Sequence, residues 1–179
     1  MNDTSLFIML RTLLLDGLSA QGFTGIEVKQ KYQPTTQGAP SSPAIFLFKV
    51  GDRNYGTLQR RARWDSAASR FRQEEGQQIE TTLQCSARSL LDPEDFTQLT
   101  ASDIVNLASG IIQSEFAITR LSSQNVGIYK VEAIRAPFEV NDFDNFDMSP
   151  SFDFTVTHKR TLTWAVPHID SVESGIHRV

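Results

Sequence analysis

The sequence holds one cysteine and three histidines, and no apolar run approaches the roughly 20 residues that span a bilayer. Cys85 alone makes no internal disulfide, and no Cys/His pairing has the spacing of a structural zinc, so the chain suits a reducing cytoplasm. His158, His168 and His177 all fall in the last 22 residues, which is thin provision for a nucleophile that needs a base beside it. His158 reads as a sheet-surface histidine within an alternating strand, and Cys85 has a strand phase that points inward, with no activating neighbour in sight. No glycine-rich phosphate loop follows a strand, and residues 51–56, Gly-Asp-Arg-Asn-Tyr-Gly, read as a turn. The carboxylates of Glu139, Asp142, Asp144 and Asp147 are interleaved with Phe138, Phe143 and Phe146 and lack the glycine and terminal glutamate of a calcium loop. The sequence therefore offers no enzyme active site, cofactor site or metal site. A net charge of −4, from 17 basic and 21 acidic residues, also excludes a protein that lives mainly by binding phosphate backbones, so any nucleic-acid contact is local.

What is present is an ordinary globular composition, 40% hydrophobic and 21% charged over 179 residues, which fits a single domain across 1–179. The apolar stretch 6–18 follows Asp3 and is interrupted by Arg11, unlike a signal peptide. Leu6, Met9, Leu10, Leu13, Leu14 and Leu18 recur at helical steps and predict a helix over 4–20, capped by Asp3 or Thr4. Residues 26–29 alternate as a short strand, and 32–43, with three prolines among threonines and serines, form a mobile connector. Residues 44–50 predict a buried strand closed by Gly51-Asp52. An extended hairpin over 55–89 follows, with 66–76 as the polar link between its arms. In the second arm Ile79, Thr81, Leu83, Cys85 and Ala87 share one face. Thr100 and Asp103 cap a second helix with Ile104, Leu107, Ala108, Ile111 and Ile112 on one side. Residues 126–136 are extended, and 152–166 alternate so regularly that the strand, about 50 Å long at about 3.3 Å per residue, either bends or projects from the body. The sum is an α+β fold: a mainly antiparallel sheet, a long projecting hairpin, and two helices on one face.

Charge is segregated along the chain. Between Arg53 and Arg72 lie Arg53, Arg60, Arg61, Arg63, Arg70 and Arg72 against one acid, Asp65. Between Glu132 and Asp153 lie six acids against Arg135. Three readings stay open: solvated surfaces, head-to-tail self-association in which the basic hairpin of one subunit meets the acidic loop of the next, and a hairpin touching a nucleic-acid backbone. Asp142, Phe143, Asp144, Phe146, Asp147 and Met148 form a candidate docking loop, apolar anchors in an acidic frame.

The N-terminal amphipathic helix, the extended segment 80–88 (Glu-Thr-Thr-Leu-Gln-Cys-Ser-Ala-Arg), the helix around 104–112, and the closing pattern 151–158 (Ser-Phe-Asp-Phe-Thr-Val-Thr-His) leading through Trp164 to 169–173 resemble the neck and tail-terminator proteins of tailed bacteriophages, particularly contractile-tailed ones. The resemblance implies a ring-forming structural subunit, commonly hexameric, in the neck of the virion and assembled in the bacterial host cytoplasm. It implies that the ring ends the tail tube or sheath and faces a head-side connector or collar protein, with DNA passing non-specifically through the lumen and no membrane involved. The connector 32–43 and the acidic segment 138–148 depart from the family pattern and leave the layer open among terminator, gateway and collar. The alternative is a nucleic-acid-binding accessory protein using the arginine-rich hairpin.

Overall fold

In the computed structural model, which describes residues 1–30, 42–89, 94–95, 97–136, 138–140, 146–148 and 150–166, the first helix starts one residue earlier than expected. Asn2 rather than Asp3 or Thr4 caps α1 (Asp3–Ala20), its side chain accepting from the Ser5 backbone N–H at 2.8 Å. The apolar stripe Leu6, Leu10, Leu13, Leu14 and Leu18 is fully buried. α2 (Ala101–Gln113) opens on the expected capping box: Thr100 Oγ1 accepts from the Asp103 N–H at 3.1 Å, and the Asp103 carboxylate accepts from the Thr100 N–H at 3.1 Å.

The two helices meet at Gly17, where an added Cβ would lie 2.5 Å from Ile111 Cγ2. That carbon sits on the branched Cβ of a buried residue and has little room to yield. Gly17→Ala is therefore expected to destabilise the chain by about 1–3 kcal/mol, although alanine is intrinsically the better helix former by about 1 kcal/mol. Urea denaturation reads the sign directly.

A third helix, α3 (Glu115–Ser122), corrects the expectation of two. Ser114 divides it from α2 by serving both: its hydroxyl donates to Ile111 O at 2.6 Å and accepts from the Ala117 N–H at 3.2 Å. Only Ala117 and Leu121 of α3 are buried, which is too short a stripe to stand out in a sequence.

The sheet contains β1 (Glu27–Gln30), β2 (Ala44–Asp65), β3 (Arg70–Arg88), β4 (Val126–Val131) and, after the small hairpin of β5 (Phe138–Val140) and β6 (Phe146–Met148), β7 (Ser151–Val166). The strand order is β1-β2-β3-β7-β4. Every pairing is antiparallel except β1 with β2, which is parallel. The helices cover one face, where Ile79, Thr81, Leu83, Cys85 and Ala87 of β3 and Phe152, Phe154, Val156 and His158 of β7 are all buried.

Three expectations about the hairpin change. β2 does not close at Gly51-Asp52 but runs unbroken to Asp65, absorbing register shifts between Lys49 and Gly51 and between Tyr55 and Gln59; Gly56, at φ +72°, lies in the second of these bulges. The link is not 66–76 but a turn over 66–69, with β3 beginning at Arg70. The projection has three strands, because β7 pairs with β3 along its whole length, from Ser86↔Ser151 to Phe71↔Val166. The long β7 thus projects without bending away. Part of the acidic docking loop is also strand: Phe138↔Met148, Glu139↔Asp147 and Val140↔Phe146 pair in β5 and β6. Asp142, Phe143 and Asp144 lie outside the described residues, as do 32–41 of the connector, His168 and His177.

Candidate assembly surface

Ile79 and His158 are the last buried side chains of β3 and β7, and β7 continues for eight residues past His158, roughly 25 Å at about 3.3 Å per residue. Alternation sorts the side chains of this arm onto two faces. One continues the face that the helices cover in the body, and it carries Trp64, Phe71, Val166, Ala62, Trp164 and Leu162, brought into register by Trp64↔Phe71↔Val166 and Gln73↔Trp164. Trp64 and Phe71 pack edge to face with centroids 5.0 Å apart. Trp164 remains 55% exposed, Leu162 49% and Phe71 41%, an apolar patch on the sheet that no other described element covers.

The opposite face carries Arg53, Arg61, Arg63, Arg70 and Arg72, while Arg60 stands on the apolar side. The six sequence-predicted arginines are therefore brought to one arm but not to one surface, and three of them are already paired. Arg53 meets Glu80 at 3.0 Å, Arg60 meets Glu75 at 3.1 Å and Arg72 meets Asp65 at 2.7 Å. Among the described residues Arg61, Arg63 and Arg70 have no such ion pair. Arg63 stands directly opposite Arg72, an unfavourable cross-strand juxtaposition of like charge.

At the root of the arm lies a polar knot that has no signal in the sequence. Asp52, just past the first bulge, accepts from Thr81 Oγ1 at 2.7 Å, Lys49 Nζ at 2.6 Å and Arg160 at 3.2 Å, and Lys49 also reaches Asp3 at 2.8 Å. Burial opposes ionisation of Asp52, but the bonds from Lys49 and Thr81 prevail and hold its carboxyl below the usual range. His158 is buried here, not on the sheet surface, with Nε2 3.0 Å from Thr81 Oγ1.

These three groups resemble a catalytic triad only in composition. The Thr81 proton is committed to Asp52, so His158 Nε2 donates to the hydroxyl and does not take its proton, and His158 Nδ1 is buried without a partner. The arrangement ties α1, β2, β3 and β7 together and activates nothing.

Burial, followed by the charge of the chain's amino terminus, lowers the pKa of His158. The unfolded chain takes up this proton near pH ~6.5 while the folded chain resists it, so stability is full above that pH and declines as pH falls toward the depressed folded value. Denaturation midpoints at pH 7.5 and 5.5 are expected to show the decline, and His158→Gln, which keeps a donor toward Thr81, to flatten it.

Cys85 is buried with its thiol pushed up to about 12, an inert core residue as its strand phase indicates. Among the described residues no cluster of three or more potential metal ligands occurs, and no helix is long and apolar enough to cross a membrane. Besides α3, sequence reading missed an apolar groove of about 750 Å³ between α1 and α2, lined by Ala20, Phe23, Leu99, Leu107, Ile111 and Phe116.

No curated protein matches the chain. Among solved structures, the PVC sheath/tube terminator of an extracellular contractile injection system, seen by cryo-EM in its extended state, is similar with a TM-score of 0.43 and 12% identity over 96% of this chain; the chain spans 63% of that protein's length. The family model of the E217 gateway protein gp29 matches residues 5–168. The chain belongs to that family, and is a phage structural protein of the virion, not an enzyme.

Proposed function

We propose that the protein is a subunit of the phage neck that associates head to tail into a ring, a hexamer, which ends the tail tube or sheath and joins it to the head-side connector, with DNA passing through the lumen. The observation that carries this reading is the uncovered arm. An isolated three-stranded projection with tryptophans on one face and arginines on the other buries its apolar surface only against another molecule. Its edges point the same way: β1 pairs β2 only over Ala44–Leu47 and β4 pairs β7 only as far as His158, so both edges of the arm are open among the described residues. Family membership supports a place at the tail end of the virion, and the acidic segment that includes Asp142, Phe143, Asp144, Phe146, Asp147 and Met148 is assigned to docking a neighbouring neck or tail component.

Particle mass and symmetry, by light scattering and negative-stain imaging at low and high salt, test the reading. A closed ring that loosens with salt is the expected result, because the arm's arginines supply part of the contact. A monomer at every concentration that also fails to bind tail tubes overturns it.

The juxtaposition of Arg63 and Arg72 favours one second reading, an accessory protein whose arm grips a nucleic-acid backbone. Duplex binding that falls steeply with salt, and is lost on neutralising Arg61 and Arg63, is its signature.

A further inference from the structure

We infer that the tip of the arm seats in the groove between α1 and α2 of a neighbouring copy, so that each subunit offers an arm on one side and a groove on the other. This rests on the ring reading and names its contact.

The uncovered apolar face of the arm is the continuation of the sheet face that α1, α2 and α3 cover in the body. Among the described residues it lacks a helical layer, and the groove is the apolar part of that layer left open. Phe23 and Leu99 extend it into an adjoining hollow of about 500 Å³ that reaches Gly25 and Pro43, giving a trough suited to a narrow inserted element more than to a compact ligand. Gly110, on the exposed side of α2, keeps the groove open: a Cβ there would meet nothing within 4 Å.

Charge selects the occupant. Residues 53–80 and 158–166, which form the arm and its root, carry eight lysines and arginines against four acids. Residues 1–25 and 94–125, which form the helical layer, carry six acids against two arginines. Asp103 lines the groove itself. A basic arm with aromatic anchors fits an acidic, apolar trough, and both are displayed by every copy.

Because arm and groove are different surfaces, a one-way contact between copies is heterologous. Repetition of the one-way contact gives a ring where the rotation closes, whereas reciprocal exchange of arms stops at a two-fold dimer, which particle mass distinguishes. The reach of roughly 25 Å past the body is comparable with the width of a small domain, about 30 Å.

Disulfide trapping in the full chain tests the contact, with Ala67→Cys in the exposed arm turn and Asn106→Cys on the exposed rim of the groove. Cys85, buried and with its thiol pushed up to about 12, does not compete. Under mild oxidation the mixture of the two single variants is expected to give a covalent dimer that joins one of each. Gly110→Leu places an apolar side chain at the groove from a Cβ that stands in open space, and is expected to raise the concentration needed for assembly at least tenfold while leaving the circular dichroism of the monomer unchanged.

Rings that form yet give no mixed disulfide and tolerate Gly110→Leu overturn the groove contact and leave the ring reading standing. Absence of assembly at every concentration and salt, together with failure to bind tail tubes, removes both. A double variant that closes the disulfide within a monomer shows the arm or groove satisfied inside its own chain, and overturns the inference.

Discussion

Phe154→Ala is expected to cost about 3–5 kcal/mol of folding stability, and Trp164→Ala, ten residues along the same strand and on the same face, less than about 1 kcal/mol. Phe154 is fully buried, tilted against Phe152 with centroids 5.9 Å apart, and packed in the core under the helices. Removing its ring forfeits transfer energy and leaves a cavity in a region held by α1, α2 and four other strands, where little can collapse to fill it. Trp164 stands 55% exposed on the arm, opposite Gln73, so the monomer loses little packing when it is truncated. Its loss is instead expected in assembly, where large aromatic anchors at a contact centre carry most of the binding energy. Chemical denaturation and light scattering on the two variants separate the effects. A Phe154→Ala chain as stable as the parent, or a Trp164→Ala chain that unfolds with it, would mean that the boundary between body and arm lies elsewhere.

That boundary explains what was legible in the sequence. From Ile79 to Ala87 and from Phe152 to His158, one strand face is packed and the other is not, so apolar and polar residues alternate and the strands read correctly. Beyond Ile79 and His158 no described element packs on either face, yet Leu162, Trp164 and Val166 keep the pattern. The alternation thus revealed β7 to its end while concealing where the body stopped.

The break expected at Gly51-Asp52 was misread because a glycine beside an aspartate signals a turn equally well when it sits in a bulge, and only the pairing of Asp52 with Thr81 distinguishes the two. The third strand of the arm was invisible because Phe71↔Val166 joins residues far apart in sequence. The same limitation applies to the arginines. As a run they form one basic block; in register they divide across two faces, and Glu75, Glu80 and Asp65 neutralise half of them. The groove had no sequence signal, since Leu107 and Ile111 follow the helical stripe of any core residue.

Reversing one arginine is expected to move folding and assembly in opposite directions. Arg63 faces Arg72 across the β2–β3 ladder, and like charges directly opposite on a sheet destabilise by about 0.2–1 kcal/mol. Asp65 pairs with Arg72 at 2.7 Å through one oxygen, while the other accepts from the Ala67 and Ala68 N–H groups. Arg63→Glu gives Arg72 a second anion and relieves the repulsion, so the monomer is expected to unfold at equal or higher denaturant concentration. If Arg63 contributes to a contact with an acidic neighbour, the same change places like charges at that contact and assembly weakens, most at low salt. Adding Arg61→Glu deepens the loss. Arg53→Ala, which removes a surface pair with Glu80 near the body, is expected to change folding by no more than about 0.5 kcal/mol and to leave assembly intact. Second-site reversals then locate the acid. Rescue by Glu115→Lys, beside the groove-lining Ser114 and Phe116, places it on the neighbour's helical layer; rescue by Asp142→Lys with Asp144→Lys places it on the acidic segment. Failure of both, with loss of duplex binding in the Arg61→Glu/Arg63→Glu chain, would assign the arginines to DNA and leave the aromatic face alone to hold the ring.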